Sequence, residues 1–435
     1  MRDAVFAELG GPEPQGPDLD YLVTGVPLGE LVAKLAKLGR AEVVGASFGV
    51  IKFTHDGMTA DVALPRRERA VGPRHQDFEI ESAPDIPLEE DLARRDFRMN
   101  MMARDVRSGK LIDPFGGRAD LAARRLDVLR EEAFEEDPLR ILRGAQFAAR
   151  FELTPTPRTL EGMREAAQRV SSVAPERIAD ELSKLLTLAA KPSIGFEVLR
   201  EAGALAQCLP EVLEGWAVEQ NEFHAFTVYY HSLRTCDEAP RDLVLRLAAL
   251  LHDVGKPRTK EGPHFYGHEK IGAEMARALL ERLRFSGEVV DRVTRLVARH
   301  MYTTVDAVSD AGIRRFIRRI GPENLADLFS VRHADIRATG MAPRDDEQNR
   351  RFEARVAAAL DAGHALRIAD LQIDGEDVIA LMKSLGLVSG EFRGDERVGE
   401  ALRFSLEKVL DEPRSNTRDT LLDFAKRWLL EHRGP

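Results

Sequence analysis

Two aspartates near the start of the chain, Asp18 and Asp20, are separated by a single residue. Side chains alternate between the two faces of a strand, so on a strand both carboxylates would point to the same side. Neighbouring carboxylates suit Mg²⁺, which commonly binds them together with substrate phosphates. The pair therefore indicates transfer of a nucleotidyl group from a triphosphate. An Asp-x-Asp pair in a turn or a helix cap is the structural alternative.

Two further motifs carry groups that suit a nucleotide. Residues 94–97 read Arg-Arg-Asp-Phe and precede Asn100, and guanidinium groups make bidentate contacts with phosphate oxygens. Asp137 and Arg140 lie three positions apart in a run that we predict to be helical, which would place both on one helical face. An acid that accepts from the exocyclic amine of a base, beside an arginine that donates to the ring, can read a Watson-Crick edge. A surface ion pair near a helix N-terminus is the alternative.

A separate set of candidate metal ligands comprises His231, the adjacent His252 and Asp253, and Asp335. Histidine nitrogens combined with carboxylate oxygens form sites for divalent transition metals. Such a metal lowers the pKa of a bound water molecule and so favours hydrolysis. Single histidines are more often structural, so this interpretation depends on the whole ordered set.

The hydrophobic pattern predicts the elements that position the aspartates. Leucine and valine recur at helical spacing over residues 28–38, and strand-like runs on either side of Asp56 and Gly57 predict a hairpin with a tight turn. Asp61 lies on the returning strand and is a candidate third catalytic carboxylate. An exposed acid on an edge strand is the alternative for Asp61.

The remainder of the chain is predicted to be largely helical. Residues 65–90 are rich in proline, arginine, glycine and acids and predict a long mobile loop. From Ala93 onward the pattern is helical, apart from short strand-like pieces near Ile112. We therefore expect an α+β fold, with a small mixed-sheet head followed by a long all-helical neck, body and tail.

Composition limits the class of protein. The chain has 435 residues, which suggests about three domains. The net charge of -10 argues against a uniformly basic nucleic-acid coat, but arginine-rich residues 314–319 could form a local track for phosphates. A solvated helix face is the alternative for those arginines. Two cysteines and the lack of a long apolar run indicate a soluble, cytoplasmic protein with no membrane partner.

The motifs of the first half, together with residues 176–182, resemble those of the class II tRNA nucleotidyltransferase and poly(A) polymerase family. The resemblance covers essentially the whole chain and implies a polymerase-beta-like nucleotidyltransferase head. It implies that Asp18 and Asp20 bind catalytic Mg²⁺, and that residues 65–90 are linked to the switch from C to A addition. It also implies a set of nucleotide-binding residues: Arg94, Asp96, Asn100, Asp137, Arg140 and Arg143.

The histidine set resembles the HD superfamily of metal-dependent phosphohydrolases. The resemblance implies that a divalent transition metal is bound by His231, His252, Asp253 and Asp335. It implies further that Lys256 contacts phosphate, and that a second metal or the leaving group is supported by His268 and His300. Family members with this domain are associated with phosphatase and 2′,3′-cyclic phosphodiesterase chemistry. A retained but unused metal site is the alternative.

The chain departs from the family at its start. The family usually begins with a strand and a Gly-Gly-x-Val-Arg-Asp turn that binds the triphosphate, whereas this chain begins Met1-Arg2-Asp3. Arg2 and Asp3 match the end of that turn and are further candidate nucleotide-binding residues. Either the start codon is assigned too far downstream or the head lacks its first strand. We expect the former, because the catalytic residues that follow are intact.

The function expected from the resemblance is template-independent addition or repair of the 3′-terminal CCA of tRNA, with CTP and ATP as substrates. We expect a head at residues 1–110, a nucleotide-selecting neck at 111–205, an HD domain at 206–345 and a tRNA-binding tail at 346–435. An enzyme that adds only A, only CC or a poly(A) tail would share every motif. An HD phosphohydrolase with a degenerate RNA-binding head is the alternative of another class, and a structural RNA-binding protein is a third. The sequence does not predict the oligomeric state.

Overall fold

The computed structural model describes residues 1–12, 19–44, 49–70, 78–220, 225–304, 307–340 and 347–432, without the side chains of 68–70 and 78–80. Asp18 lies outside the described residues. The N-terminal part contains helix α1, strand β1, helix α2, strands β2 to β6 and helix α3. Their bounds are Arg2–Glu8, Asp20–Leu22, Leu28–Leu35, Arg40–Val44, Val50–His55, Met58–Ala63, Arg66–Ala70, Phe78–Ser82 and Leu88–Ala93.

The head is a four-stranded mixed sheet in the order β1-β4-β3-β2. Strands β1 and β4 are parallel, whereas β4 with β3 and β3 with β2 are antiparallel. Helix α2 covers one face through Leu31, which is buried in a cluster with Ile51, Val62 and Leu64. The other face carries no such cluster among the described residues, so its charged side chains reach solvent.

The β3–β4 turn confirms the predicted hairpin. Asp56 and Gly57 have φ angles of 48° and 76°, which is the left-handed pair that a tight two-residue turn requires. The prediction of a long mobile loop over residues 65–90 was wrong about the conformation of the described part, whereas its mobility stays a prediction. Within its described part, β5 and β6 form an antiparallel ribbon, and exposed Arg67 pairs with Glu81 across it at 2.8 Å. The ribbon side chains that the structure describes, Arg66, Arg67, Glu81 and Ser82, are all polar, so they lack the apolar alternation that marks a strand in a sequence.

The neck consists of short strands and helices around one apolar core. It contains β7, β8, α4, β9, α5, α6, β10 and α7 to α11. Their bounds are Ala103–Arg104, Leu111–Ile112, Gly117–Ala122, Arg125–Leu126, Ala133–Glu136, Leu139–Phe151, Thr154–Pro155, Pro157–Ala166, Pro175–Leu188, Pro192–Glu201, Leu205–Cys208 and Pro210–Leu213. Helix α1 packs into this core rather than on the head sheet: Val5 and Phe6 are buried, and the Phe6 and Phe151 ring centroids are 5.0 Å apart.

The remaining helices form the histidine-bearing body and the tail. Helices α12 to α17 span Val228–Glu238, Leu243–Leu251, His268–Arg282, Gly287–Arg299, Asp310–Ile320 and Leu325–Ala338. The tail helices α18 to α21 span Glu347–Asp361, Gly375–Ser384, Glu396–Asp411 and Arg418–Glu431. Buried residues of both parts belong to the same apolar cluster as the neck, so the body and tail continue its core.

Arginines 314, 315 and 318 bind the tail helix α20 instead of forming an open basic track. Arg314 is buried and donates to the carbonyl oxygens of Leu410 and Asp411 at 2.7 and 3.2 Å. Arg315 pairs with Glu407 at 3.1 Å, and Arg318 pairs with the same carboxylate. These contacts disfavour the interpretation of residues 314–319 as a phosphate-binding track.

Candidate catalytic and metal-binding sites

Asp20 and Asp61 occupy paired positions on the two parallel strands of the head. The Cα register aligns Asp20 of β1 with Asp61 of β4, and Asp61 in turn with Lys52 of β3. Residues paired in this way project to the same face of a sheet. All three side chains are exposed, on the face opposite α2. The structure therefore brings Asp61 beside Asp20 at the surface, where a triphosphate can approach.

A network of polar side chains surrounds Asp96, whose residue is only 8% exposed. Its Oδ1 accepts from the Asn100 side-chain amide at 2.6 Å and from the Phe97 backbone N–H at 2.9 Å. Its Oδ2 accepts from Nε of Arg143 at 2.7 Å. Burial opposes ionisation of the Asp96 carboxyl, but Arg143 and Asn100 outweigh it and hold its pKa below the ordinary value. The motif at residues 94–97 is thus joined to helix α6 through a buried, charged carboxylate.

The first residues of the chain join the same network. Arg2 donates to Oδ1 of Asn100 at 2.9 Å and to Oδ1 of Asp3 at 2.7 Å. Its guanidinium carbon lies 4.6 and 4.8 Å from the ring centroids of Phe147 and Phe151, within the range of cation–π attraction. Helix α1 therefore places Arg2 beside Asn100, although the two residues lie far apart in the sequence, and Asp3 pairs with Arg2 and with Arg150.

Two buried acids that support this region were not predicted as site residues. Glu181 on α8 is 4% exposed and lies 3.6 Å from Arg143 and 2.8 Å from Lys184. Asp91 is fully buried and pairs with both Arg94 and Arg95, at 2.7 and 3.2 Å. The only sequence signal was an acidic residue at an otherwise apolar helical position in each case. Arg94 is consequently held by Asp91 at the end of α3.

Asp137 and Arg140 do not share a helical face, so this prediction was wrong. Helix α5 ends at Glu136 and α6 begins at Leu139, which leaves Asp137 extended with φ −142° and ψ 98°. A residue before proline is disfavoured in helical conformation, and Pro138 follows Asp137. The Asp137 carboxylate instead accepts from the Leu139 backbone N–H at 3.1 Å, as a capping group does.

Asp137 and Arg140 still lie at the same turn, where each contacts residues other than the other member of the pair. The carboxylate of Asp137 pairs with Arg177 of α8 at 2.9 Å. Arg140 donates to the backbone carbonyl oxygens of Ala133 and Arg94, at 3.2 and 3.3 Å. Arg140 therefore connects the turn before α6 to the Arg-Arg-Asp-Phe motif.

The histidine-bearing helices place six candidate ligands in two groups. His231, His252 and Asp335 form the first group, and Asp253, His268 and His300 form the second. Within each group one donor atom per residue lies within 4.8 Å of the others, which suits a shared metal ion. All the ligands except Asp335 are buried, and Asp335 is half-buried. Three residues of the expected ligand set therefore form one group, whereas Asp253 groups with His268 and His300, which were expected to support a second metal or the leaving group.

Asp253 is a member of the second group, and its two carboxylate oxygens contact histidines of different groups. Its Oδ2 lies 3.1 Å from Nε2 of His252, and its Oδ1 lies 3.3 Å from Nε2 of His268. Lys256 contacts the same Oδ2 at 2.7 Å and also donates to Gln220 at 2.6 Å. Burial opposes ionisation of the Asp253 carboxyl, but His252 and Lys256 lower its pKa well below the ordinary value. Asp253 is therefore an ionised carboxylate placed to bridge two cations.

The hydrogen bonds of the histidines fit metal binding. Nδ1 of His252, His268 and His300 each lies 2.7 to 2.8 Å from the backbone carbonyl oxygen three residues earlier. Only a protonated Nδ1 can donate there, so each ring directs an Nε2 lone pair into the cluster when it is neutral. Among the described residues, the buried Nε2 of His252 has no hydrogen-bond partner and lies beside the Asp253 carboxylate, and Nε2 atoms of His268 and His300 lie 3.3 Å apart. Metal ions bound by these groups would satisfy such lone pairs.

The electrostatics of the cluster are compatible with this interpretation. Burial, aided by the neighbouring His252, lowers the pKa of His300 to about 3 and so keeps it neutral. Burial also disfavours protonation of His252, but Asp253 outweighs it and raises the pKa of His252. A divalent cation competes with that proton, so metal binding would release it.

No helix in the described ranges is both long and apolar enough to cross a membrane.

Three family models match the chain in succession. Residues 2–127 match the poly A polymerase head domain. Residues 152–214 match a probable RNA and SrmB-binding site of polymerase A, and residues 222–366 match the HD domain.

Curated relatives are similar over most of their length. A multifunctional CCA protein of Cupriavidus metallidurans is 37% identical over 382 residues, which cover 82% of this chain and 90% of the relative. One from Paraburkholderia phytofirmans is 37% identical over 390 residues, covering 83% and 92%. Each similarity covers more than four fifths of this chain.

Solved structures share the fold. The CCA-adding enzyme of Bacillus stearothermophilus in complex with CTP aligns with a TM-score of 0.68 at 21% identity, covering 98% of this chain and 90% of that one. The Thermotoga maritima CCA-adding enzyme complexed with tRNA aligns with a TM-score of 0.57 at 18% identity, covering 97% and 88%.

Proposed function

The chain belongs to the multifunctional CCA protein family, and from this premise we propose that it is a template-independent tRNA nucleotidyltransferase. It adds or repairs the 3′-terminal CCA of tRNA with CTP and ATP. The single observation in the structure that carries the proposal is the register that aligns Asp20 with Asp61 on an exposed sheet face. Asp18, two positions earlier on the same segment, is proposed as the third carboxylate.

In the proposed reaction the 3′-hydroxyl oxygen of the tRNA attacks the α-phosphorus of the incoming triphosphate. A new phosphodiester bond forms, the bond between the α-phosphorus and its bridging oxygen breaks, and pyrophosphate leaves. Asp18, Asp20 and Asp61 would hold Mg²⁺, which would supply stabilisation of the charge that develops on the oxygens of the reaction. Asp20 and Asp61 would fix where the hydroxyl and the triphosphate meet, because they lie at paired positions on neighbouring strands.

Base selection is assigned to the turn before α6 and to α6 itself. Asp137, Arg140 and Arg143 carry one carboxylate and two guanidinium groups, which together can complement the Watson-Crick edges of cytosine and adenine. Their present partners hold them in defined positions: Asp137 pairs with Arg177, and Arg143 pairs with Asp96. Arg2, Asp3, Arg94 and Asn100 are proposed to support the nucleotide site through the network around Asp96 and through Asp91.

The test uses tRNAs that lack one, two or three of their terminal CCA nucleotides, each incubated with single labelled triphosphates. Full CCA addition predicts C incorporation on the two shorter tRNAs and A on the longest. Incorporation of only A, only C or a long A tail would instead identify a specialised enzyme of the same family. The Asp20→Asn variant should lose all incorporation with every tRNA.

A second activity, hydrolysis of phosphoesters at the histidine cluster, is favoured by a specific observation. Asp253 belongs to the group with His268 and His300, which it contacts through Oδ1, and its Oδ2 contacts His252 of the other group. This arrangement suits two cations. A divalent transition metal, when bound, would activate water for attack on phosphorus. Lys256 contacts the Asp253 carboxylate and is proposed to balance its negative charge. It is not proposed to bind phosphate, because the residue is only 7% exposed.

The two activities are separable by mutation. Asp20→Asn should abolish nucleotide incorporation and leave hydrolysis of 2′,3′-cyclic AMP intact, whereas His252→Gln should do the reverse. If hydrolysis were the only activity of the unmutated chain, the transferase proposal would be wrong. No hydrolysis with any of several divalent metals would contradict the second activity alone.

We also propose the domain boundaries given by the sequence, with a head at 1–110, a neck at 111–205, an HD domain at 206–345 and a tail at 346–435. The helices that carry the histidines, from Val228 to Ala338, lie within the proposed HD domain and support its extent. The proposed site of action is the cytoplasm, which supplies tRNA and triphosphates. The two buried cysteines, both free thiols, are compatible with a reducing compartment.

A further inference from the structure

Arg332 lies next to the first group of metal ligands. It stands on α17, one turn before Asp335, and its guanidinium donates to Oδ2 of Asp335 at 3.3 Å. The other oxygen of Asp335 lies 3.0 Å from Nε2 of His231. The Arg332 guanidinium carbon is 5.7 Å from the ring centroid of Tyr302, so the aromatic ring supports it from one side. A fixed positive charge is thereby held at the edge of the cluster.

Most hydrogen-bond donors of Arg332 have no partner among the described residues. A guanidinium carries five N–H donors, and this one makes a single hydrogen bond there. Within the same part of the chain, its buried Nε has no hydrogen-bond partner. Buried polar atoms are normally paired, and an exception calls for an unseen partner. An arginine that served only to hold Asp335 would use two parallel hydrogen bonds, which is the geometry that this pair prefers.

Lys256, the other cation at the cluster, is differently arranged. Its ammonium group is satisfied by Asp253 at 2.7 Å and Gln220 at 2.6 Å, and the residue is 7% exposed. The Arg332 side chain is 25% exposed. Of these two cations, Arg332 is therefore the one with free donors and access to solvent.

We infer that Arg332 binds the phosphate group of the phosphoester that is hydrolysed at the histidine cluster. This inference rests on the second activity proposed above. The planar guanidinium matches two phosphate oxygens at once, and a nucleoside phosphate beside the metal ligands would satisfy its unpaired N–H groups. The same chemistry fits a terminal phosphomonoester and a 2′,3′-cyclic phosphodiester, so both are used as probes.

The test compares wild type, Arg332→Met and Arg332→Lys in hydrolysis of 2′-AMP and 2′,3′-cyclic AMP, with inorganic phosphate as inhibitor. Arg332→Met should raise KM for the bound phosphoester and Ki for phosphate by about tenfold or more, as loss of a charge-assisted hydrogen bond implies. The rate constant kcat should change far less. Arg332→Lys should recover only part of the affinity, because lysine makes no bidentate contact. A rise with one substrate only identifies that substrate as the ligand.

Two controls separate phosphate binding from support of Asp335. Metal content and the thermal midpoint of Arg332→Met should match wild type, and Arg337→Met, which removes an exposed arginine of the same helix paired with Glu238, should leave KM and Ki unchanged. Loss of metal in Arg332→Met with an unaltered Ki would overturn the assignment. If wild type hydrolyses neither substrate, the proposed second activity fails. Calorimetric binding of inorganic phosphate to the metal-loaded wild type and Arg332→Met still decides the role of Arg332, and equal affinities would refute it.

Discussion

Arg143 and Asp96 form a two-point ion pair, in which Nε and a terminal amino group of the arginine each lie 2.7 Å from Oδ2 of the carboxylate. The pair joins α6, which starts beside the proposed base-reading turn, to the Arg-Arg-Asp-Phe motif. The ion pair therefore fixes helix α6 relative to the Arg-Arg-Asp-Phe motif of the proposed nucleotide site.

Asp96→Asn should destabilise the protein. The amide keeps the shape of the side chain but leaves Arg143 without its main counter-charge, which should lower the free energy of unfolding by about 2–4 kcal/mol. Urea unfolding monitored by circular dichroism measures the difference. Asp56→Asn, at an exposed turn position where asparagine fits a positive φ, is the matched control and should change stability by less than about 0.5 kcal/mol. Equal effects of the two changes would contradict a structural role for the buried pair.

The contribution of Asp96 should depend on pH. Its pKa is lowered in the folded chain, so the unfolded chain takes up a proton first as pH falls from the ordinary aspartate value. The stabilisation is therefore complete above about pH 5 and is lost as pH falls through the lowered folded pKa. The difference in unfolding free energy between wild type and Asp96→Asn should shrink over that acid range. A constant difference down to acid unfolding would show that the charge of Asp96 does not stabilise the fold.

Asp61→Asn should reduce kcat for both CTP and ATP incorporation by at least about 100-fold, since loss of a carboxylate weakens the metal site itself. Glu42→Gln is the matched control, because Glu42 is an exposed acid on the same sheet that pairs with Lys52 in the register but lies two strands from Asp61. Labelled-nucleotide incorporation at saturating tRNA measures both. Full activity of Asp61→Asn would remove Asp61 from the catalytic set.

The two thiols should be unreactive in the folded protein. Cys208 and Cys236 are fully buried, and burial raises the pKa of Cys208 to about 12 and that of Cys236 further. A thiolate is the reactive form, so neither should react with a thiol reagent at pH 8 until the chain unfolds. Titration with and without denaturant should give two thiols against none. Rapid reaction of either one in the native state would contradict the packing of the core.

His268→Ala should change the number of bound metal ions. The change removes one ligand of the second group and none of the first, so metal bound per chain should fall from about two to about one. Mass spectrometry of the metal content after dialysis measures this ratio. His264→Ala, four positions earlier and exposed, should leave it unchanged. Loss of all metal, or of none, would refute the division into two groups.

Much of the head was predictable because its signals are local. The alternation of apolar residues and the Asp56-Gly57 pair fix the hairpin, and the spacing of aspartates on strands indicates which carboxylates meet. The extended backbone of Asp137 was also predictable from the sequence, because Pro138 disfavours a helical conformation at the preceding residue. The prediction of one continuous helix neglected that local effect.

Other features depend on contacts between distant residues and leave no local pattern. Nothing near Glu181 in the chain indicates that it lies beside Arg143 at the proposed nucleotide site. The sequence suggests that Arg314 is an exposed basic residue. In the structure it is buried and donates to the carbonyl oxygen of Leu410 in α20. The division of the histidine cluster into two groups follows from the meeting of five helical segments, which spacing alone does not determine.

The packing of α1 into the neck core brings together two segments that flank the head sheet in the chain. Val5 and Phe6 are buried in that core together with Phe97 and Met99, which follow the sheet, and Arg2 donates to Asn100. Strands β1 to β4 therefore lie in the chain between two segments that pack on the neck. A recombinant fragment of the neck should consequently include residues 1–12, because their removal would uncover apolar surface of its core.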